Sequence, residues 1–237
     1  MGYKVKRIYQ WTNLVRPVPF TPWSNTILYC PLKDDINDHS GNHTMTINTT
    51  SYWTVAKDST GFYHFTWWYI ASENYTWPTQ WSMSVWVKRE NKSTWNTTLQ
   101  RWLTNTYKNS SPFYNMGFEF NNSWYTAVWD WTTTYFRDIW WATVNQWELW
   151  TMTYSPSEWW KMYKNWALVD SFSSNKNLWQ YNWETLIWWN YYSSSWRPNP
   201  WAQYFKWYLS DVIMEDVART SSDVLNYFNK TKSNYWL

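Results

Sequence analysis

The chain has 237 residues, a formal net charge of +3, 16% charged residues and a single cysteine. That length suits one large β domain with small appendages, a size that all-β sandwiches routinely reach. The weak positive charge forms no basic stripe, so nucleic-acid binding is not indicated. The lone Cys30 excludes a disulfide frame and a cysteine-rich zinc site, and no stretch approaches the ~20 apolar residues of a membrane-spanning helix.

Residues 1–24 differ from the rest. Met1 to Arg7 is basic, but no apolar run follows it, so no secretory signal is read. Lys4 to Tyr9 alternates, Gln10 to Asn13 reads as a turn, and Pro17, Pro19 and Pro22 make a stiff linker. The segment is read as a connector, and residues 25–237 as the domain. With glycine at position 11 it becomes IYQGTNLVRP, which is similar to short N-terminal segments on structural proteins of phage tails. A small hairpin leading into a linker is the plainer reading.

Short strands then follow one another. Thr26 to Leu32 opens them, with Cys30 as a buried core thiol. Asp34 to Asn42 is a polar loop, and Thr44 to Asn48 resumes a strand. Phe62 to Phe65 and Tyr69 to Ala71 come next. Ser82 to Lys88 alternates cleanly, with Met83, Val85 and Val87 on one face and Ser84, Trp86 and Lys88 on the other. Thr97 to Trp102, Met116 to Phe120 and Tyr125 to Val128 continue the series. Gln146 to Phe172 reads as three strands joined by tight turns, a β-meander. Leu186-Ile187 and Gln203 to Met214 close the sheet, the last of these near-central. One helix is expected near Ser221 to Asn229: Thr220 and Asp223 have capping-box spacing, Val224, Leu225 and Phe228 share a face, and Lys230 and Lys232 suit its C-terminal end.

The turns carry an anomaly. A two-residue Asn-X hairpin wants a type I′ turn with both central residues at positive φ, hence glycine, yet the chain has Asn165-Trp166. There are 28 Trp and 4 Gly, where ordinary usage predicts about 17 Gly. Trp stands where turn chemistry asks for Gly at Thr66-Trp67-Trp68-Tyr69, Asp130-Trp131-Thr132, Glu158-Trp159-Trp160-Lys161, Asn182-Trp183-Glu184 and Ile187-Trp188-Trp189-Asn190. The sequence predicts that most of these codons are UGA read as glycine in the source organism. Trp86 and Trp147 are expected to be genuine and buried; Trp131, Trp159 and Trp166 are expected to be exposed at turns.

The order of TILYCPLKDDINDHSGN (Thr26–Asn42), FYHFTWWYIAS (Phe62–Ser72), SMSVWVK (Ser82–Lys88), QWELWTMTYS (Gln146–Ser155), KMYKNWALVDS (Lys161–Ser171) and YFKWYLSDVIMEDVARTSSDVLNYF (Tyr204–Phe228) resembles the laminin-G-like jelly roll of the concanavalin A-like lectin/glucanase superfamily. Trp67, Trp68, Trp166 and Trp207 depart from it where the family pattern has Gly. The resemblance implies an all-β, antiparallel two-sheet β-sandwich with one short C-terminal helix.

Catalytic constellations are missing. Glycosidases of that superfamily carry an E-x-D-x-E or E-x-D-x-x-E run, because two carboxylates must flank the scissile bond. The nearest pair here is Asp211 and Glu215, four apart, expected on a solvated face. His39, His43 and His64 have no partner at zinc-ligand spacing. No nucleophile elbow and no phosphate-cradling loop occurs. Calcium is the cofactor expected: Asp34, Asp35 and Asp38 offer hard oxygens in one loop, and the resemblance brings Asp211 nearby, so Asp38 and Asp211 are the candidate ligands. A solvated Asx-rich turn is the alternative. The expectation is a non-enzymatic extracellular or virion-borne recognition domain for a glycan or surface protein, attached to other subunits through residues 1–24. A purely structural or adhesive assembly subunit is the runner-up, and a glycoside hydrolase rests on superfamily analogy alone.

Overall fold

The computed structural model describes residues 21–33, 35–48, 56–57, 63–65, 69–72, 75–76, 78–89, 100–106, 115–120, 125–130, 133–138, 143, 145–173, 182–190 and 207–235; its side chains are described over residues 21–33, 35–46, 72, 76, 78–88, 143, 145–173 and 208–235. Residues 1–20 of the expected connector, and Trp131, lie outside them.

In chain order the strands are β1 (Thr26–Cys30), β2 (Met45–Asn48), β3 (Ala56–Lys57), β4 (Tyr63–Phe65), β5 (Tyr69–Ser72), β6 (Tyr75–Thr76), β7 (Trp81–Arg89), β8 (Gln100–Thr106), β9 (Asn115–Phe120), β10 (Tyr125–Asp130), β11 (Thr133–Asp138), β12 (Trp147–Ser155), β13 (Trp159–Lys164), β14 (Ala167–Phe172), β15 (Asn182–Asn190) and β16 (Trp207–Glu215). One sheet runs β14-β13-β12-β7-β16-β4-β3, with β1 also on β16; the other runs β11-β10-β9-β8-β15-β5-β2, with β6 also on β15. Every described pairing is antiparallel. The fold is the antiparallel two-sheet β-sandwich expected, with the β12-β13-β14 meander in place and β16 in the sheet interior.

The centre of the first sheet is covered on both sides. All nine residues of β12 are buried, as are residues 81–87 of β7. Side chains alternate between faces along a strand, and the register sets Leu149 opposite Trp86 and Thr151 opposite Ser84. That face lies under helix α1 (Ser221–Thr231). Met83, Val85, Val87, Trp150 and Met152 occupy the other face, the interior of the sandwich.

Helix α1 begins as its sequence signals. Thr220 caps it, the Asp223 N–H donates to the Thr220 hydroxyl at 3.3 Å, and the Thr220 N–H donates to the Asp223 carboxylate at 2.9 Å. The buried face is Val224, Tyr227, Phe228 and Thr231, an i, i+3, i+4, i+7 stripe. Leu225, expected on that face, is 39% exposed, because the buried stripe is centred on Val224, Tyr227, Phe228 and Thr231 and leaves position 225 at its margin. A 3₁₀ turn over Lys232–Tyr235 continues the chain and delivers Tyr235 to the same cluster. There Trp86 stacks on Tyr235 at 4.2 Å between ring centroids and on Phe228 at 5.6 Å, and Trp147 tilts against Tyr235 at 4.9 Å. Both trusted tryptophans are buried, as expected. The Trp86 indole N–H also donates to Thr231 Oγ1 at 3.1 Å.

Of the tryptophans expected at turns, Trp183, Trp188 and Trp189 lie instead within β15, and the three whose side chains are described differ from one another. Trp159 sits at φ 63°, 37% exposed, just after the Pro156-Ser157-Glu158 turn; a hairpin of this length wants a left-handed residue there, usually Gly. Trp166 is 50% exposed and leans on Phe228 at 4.9 Å. It is not among the positive-φ residues, whereas Asn165 is, at 58°. The expected type I′ turn is therefore corrected to one with a single left-handed residue. Asn165 is pinned by exchanging bonds with Leu149, its N–H to the carbonyl at 2.6 Å and its side-chain oxygen from the N–H at 3.0 Å. Trp160 overturns the expectation of a turn position outright. It lies within β13, 1% exposed, parallel to Phe172 and against Trp81 and Tyr154.

These environments predict opposite responses. Trp159→Gly relieves a bulky residue from the left-handed region and should raise stability by about 1 kcal/mol, whereas Trp160→Gly empties a core site and should cost roughly 3–5 kcal/mol. Thermal melting of the two variants measures both; a destabilised Trp159→Gly protein would contradict the assignment of strain.

Candidate functional site

Asp38 closes the loop that follows β1. Its Oδ1 accepts the Tyr29 and Ser40 N–H groups at 2.8 and 2.9 Å. Its Oδ2 accepts the Ser40 hydroxyl at 2.7 Å and the Asn42 and His43 N–H groups at 3.1 and 2.8 Å. Asp35, in the same loop, bonds the Asn37 N–H and the His39 ring. Asp34 and the His64 side chain lie outside the described residues.

Asp211 stands at the opposite end of Tyr29. The Tyr29 hydroxyl donates to its Oδ1 at 2.9 Å, and the Tyr235 hydroxyl donates to its Oδ2 at 2.7 Å. The residue is buried at φ 45°, where the β16 register slips between Ser210 and Ile213. Its N–H and the Ser210 hydroxyl both donate to Pro31 O, at 3.0 and 2.8 Å. This bulge re-aims the carboxylate, a usual consequence of an inserted residue. Burial pushes the carboxyl above its ordinary range, against the two tyrosine bonds and the Lys33 charge. Burial likewise pushes the Tyr227 and Tyr235 phenols well up.

Glu215 has a different partner. Its Oε2 accepts the Arg219 Nε–H, and both side chains are buried. The Arg219 guanidinium lies between two rings, 4.3 Å from the Trp23 centroid and 4.6 Å from that of Tyr227. Burial raises the Glu215 carboxyl, opposed by Arg219. Asp211 and Glu215 therefore are not a solvated face, as the sequence suggested. Each is buried, and each is held by its own partner rather than aimed at a shared point.

The sequence reading missed a third buried carboxylate. Glu148, in β12, accepts Thr143 N–H at 2.9 Å, Lys164 Nζ at 2.7 Å and the Trp150 indole N–H at 3.3 Å. Its local signal, a charge inside an apolar strand, was present. Arg219 was harder to find, because its partner lies across a strand end.

The donor sets decide the fit to calcium. A cation needs oxygen lone pairs, and a carboxylate has about four. Those of Asp38 are taken by five hydrogen atoms, and each oxygen of the buried Asp211 already accepts one from a phenol. Among the described residues no three His, Cys, Asp or Glu side chains are grouped to hold a metal. As arranged, Asp38 and Asp211 do not fit a calcium ion.

No protein-family model matches the chain, and no curated protein matches its sequence. Solved structures do match its fold. A structure described as "Cell entry of botulinum neurotoxin type C is dependent upon interaction with two ganglioside molecules" aligns with a TM-score of 0.65 at 14% identity, over 87% of this chain and 51% of its own. The binding domain of botulinum neurotoxin DC in complex with rat synaptotagmin II gives 0.63 at 13%, over 87% and 52%. The same binding domain in complex with SialylT gives 0.63 at 13%, over 87% and 51%. The chain thus spans about half the length of these structures, and the likeness is one of fold.

Two outcomes follow. Calcium up to millimolar concentration should leave the melting temperature unchanged, since a ligand bound by the native state alone would raise it; an upward shift lost in Asp38→Asn would restore the metal. The raised Asp211 carboxyl is favoured in its protonated form by the fold, so its stabilising contribution is complete below the ordinary carboxylate value and is lost as pH climbs through the raised one. The melting-temperature difference between wild type and the non-titrating Asp211→Asn should accordingly move in favour of wild type on acidification from neutral pH. The reverse trend would mean that the tyrosine bonds outweigh burial.

Proposed function

We propose that this chain is a non-enzymatic recognition domain of the laminin-G-like, lectin-like kind that binds carbohydrate or a cell-surface partner. The likeness that spans 87% of the chain to toxin binding domains carries this reading. Their descriptions name gangliosides, SialylT and synaptotagmin II. The site chemistry supports it from the other side. The carboxylate pair with the spacing nearest to a glycosidase run is spent on Tyr29, Tyr235 and Arg219, so it holds the sandwich together and is not poised around a bond to be cleaved.

On this reading the protein works outside a cell or on a virion, and residues 1–24 attach it to other subunits of an assembly. Among the described residues no helix is long and apolar enough to cross a membrane. Binding of the purified chain to a glycan array and to intact cells, before and after glycosidase treatment of those cells, tests the proposal. Glycan or glycosidase-sensitive cell binding is expected. Binding to cells that survives glycosidase but not protease would assign a protein partner. No binding in either format, or hydrolysis of a β-glucan abolished by Glu215→Gln, would overturn it.

A further inference from the structure

Three buried polar atoms lie together without partners: Arg219 Nη1, Arg219 Nη2 and Glu215 Oε1. Leaving a buried donor or acceptor unpaired is unfavourable, more so for charged groups, so such atoms call for an occupant. The Arg219–Glu215 ion pair uses only Nε and Oε2, which leaves the outer edge of the guanidinium and one carboxylate oxygen of the same buried pair unpaired. The wall over them is the Trp23 indole, 4.3 Å from the guanidinium and 37% exposed. It belongs to a strap that is exposed at positions 21 and 23–25 and pinned by backbone bonds from Thr26 and Asp216. Tyr227 backs the guanidinium from the other side at 4.6 Å.

The chemistry of the unpaired set selects its ligand. The two NH2 groups of the guanidinium edge alone would suit a carboxylate or sulfate. Here an acceptor stands beside them, and the negative charges of Glu215, Asp216 and Asp223 outnumber the positive ones of Arg219 and of Lys230, whose Nζ lies 5.8 Å from the Trp23 ring centroid, so the surroundings disfavour an anion. Adjacent hydroxyl groups match: their lone pairs accept from Nη1 and Nη2, and one hydroxyl hydrogen goes to Oε1. A flat aromatic wall next to a planar guanidinium suits the apolar C–H face of a pyranose. We propose that Glu215, Arg219 and Trp23 form a subsite for a neutral sugar, entered when the Trp23 ring swings aside and stacks on the bound pyranose. The inference rests on the carbohydrate-binding reading and names its site and its sugar class.

Saturation-transfer NMR on the full chain tests it, with methyl β-D-glucopyranoside, methyl β-D-galactopyranoside and methyl α-D-mannopyranoside as neutral probes and the methyl glycoside of sialic acid as the charged one. Wild type should bind at least one neutral probe in preference to the sialoside. Arg219→Lys, which keeps the charge but loses the paired donors, should weaken that binding ten-fold or more. Should Arg219→Lys fail to fold, Trp23→Ala carries the test: it removes the ring that stacks on the pyranose and should weaken binding of the same probe, whereas Trp23→Phe, which keeps a flat ring, should retain it. Preference for the sialoside, an unchanged affinity in Arg219→Lys, or undiminished binding by a folded Trp23→Ala protein would overturn the subsite. No response to any probe in wild type would assign water to the three atoms and overturn it equally. Array binding that persists unaltered in Arg219→Lys removes this site alone and leaves the carbohydrate reading standing.

Discussion

A strand pair buried on both faces is the constraint on which the rest depends. β7 and β12 cannot be stable as one face of an open sheet, because Trp86, Trp147 and Leu149 on one side and Met83, Val85 and Met152 on the other all need cover. The second sheet supplies one cover. The other needs an element of the right width and polarity, and α1 with its 3₁₀ turn is that element. Its stripe of Val224, Tyr227 and Phe228 meets the strand surface, Tyr235 stacks on Trp86, and Thr231 accepts the Trp86 indole hydrogen. Each aromatic ring of this kind buries on the order of 150–250 Å². The C-terminal segment thus completes the core and is not an ornament on it.

Tyr29 links that cover to the opposite edge of the sheet. Its backbone N–H feeds the Asp38 loop and its hydroxyl feeds Asp211, which Tyr235 reaches from the C-terminal turn. One tyrosine therefore ties the β1 exit loop, the β16 bulge and the chain's last described turn. Left-handed backbone at Leu32 and Asp211 falls at this junction. Strain of that sort persists only where surrounding contacts over-determine it, and here a Pro31 carbonyl with two donors and a carboxylate with two phenols provide that determination.

Much of this was legible because it rests on local rules. Alternation in Ser82 to Lys88 announced β7, the three short runs from Gln146 to Phe172 announced the meander, and Thr220 with Asp223 announced the helix start to the residue. What escaped depends on contacts across the chain. The bulge in β16 that turns Asp211 inward leaves no mark in the spacing of Asp211 and Glu215, so the pair read as solvated. The choice of Tyr227 over Leu225 for the buried stripe follows from how the helix sits on Trp86. Trp160 read as a turn residue beside Trp159, yet a one-residue difference in position separates a left-handed hairpin corner from a core site between Phe172 and Trp81.

The fate of the carboxylates then bears on what this scaffold can do. Asp38, Glu148 and Asp211 are each consumed in holding a loop, a strand end or a bulge. A carboxylate that serves as a hub for several donors is a poor proton shuttle, because every transfer would break the bonds that keep it in place. Proton transfer at any of these three carboxylates would break the contacts that hold its part of the fold, whereas a hydrogen-bonding ligand needs only polar edges that the fold has left unpaired. Arg219 has two such edges and Glu215 one, at the single point where a strap, a strand end and a helix start converge, and a site made there disturbs none of the hubs.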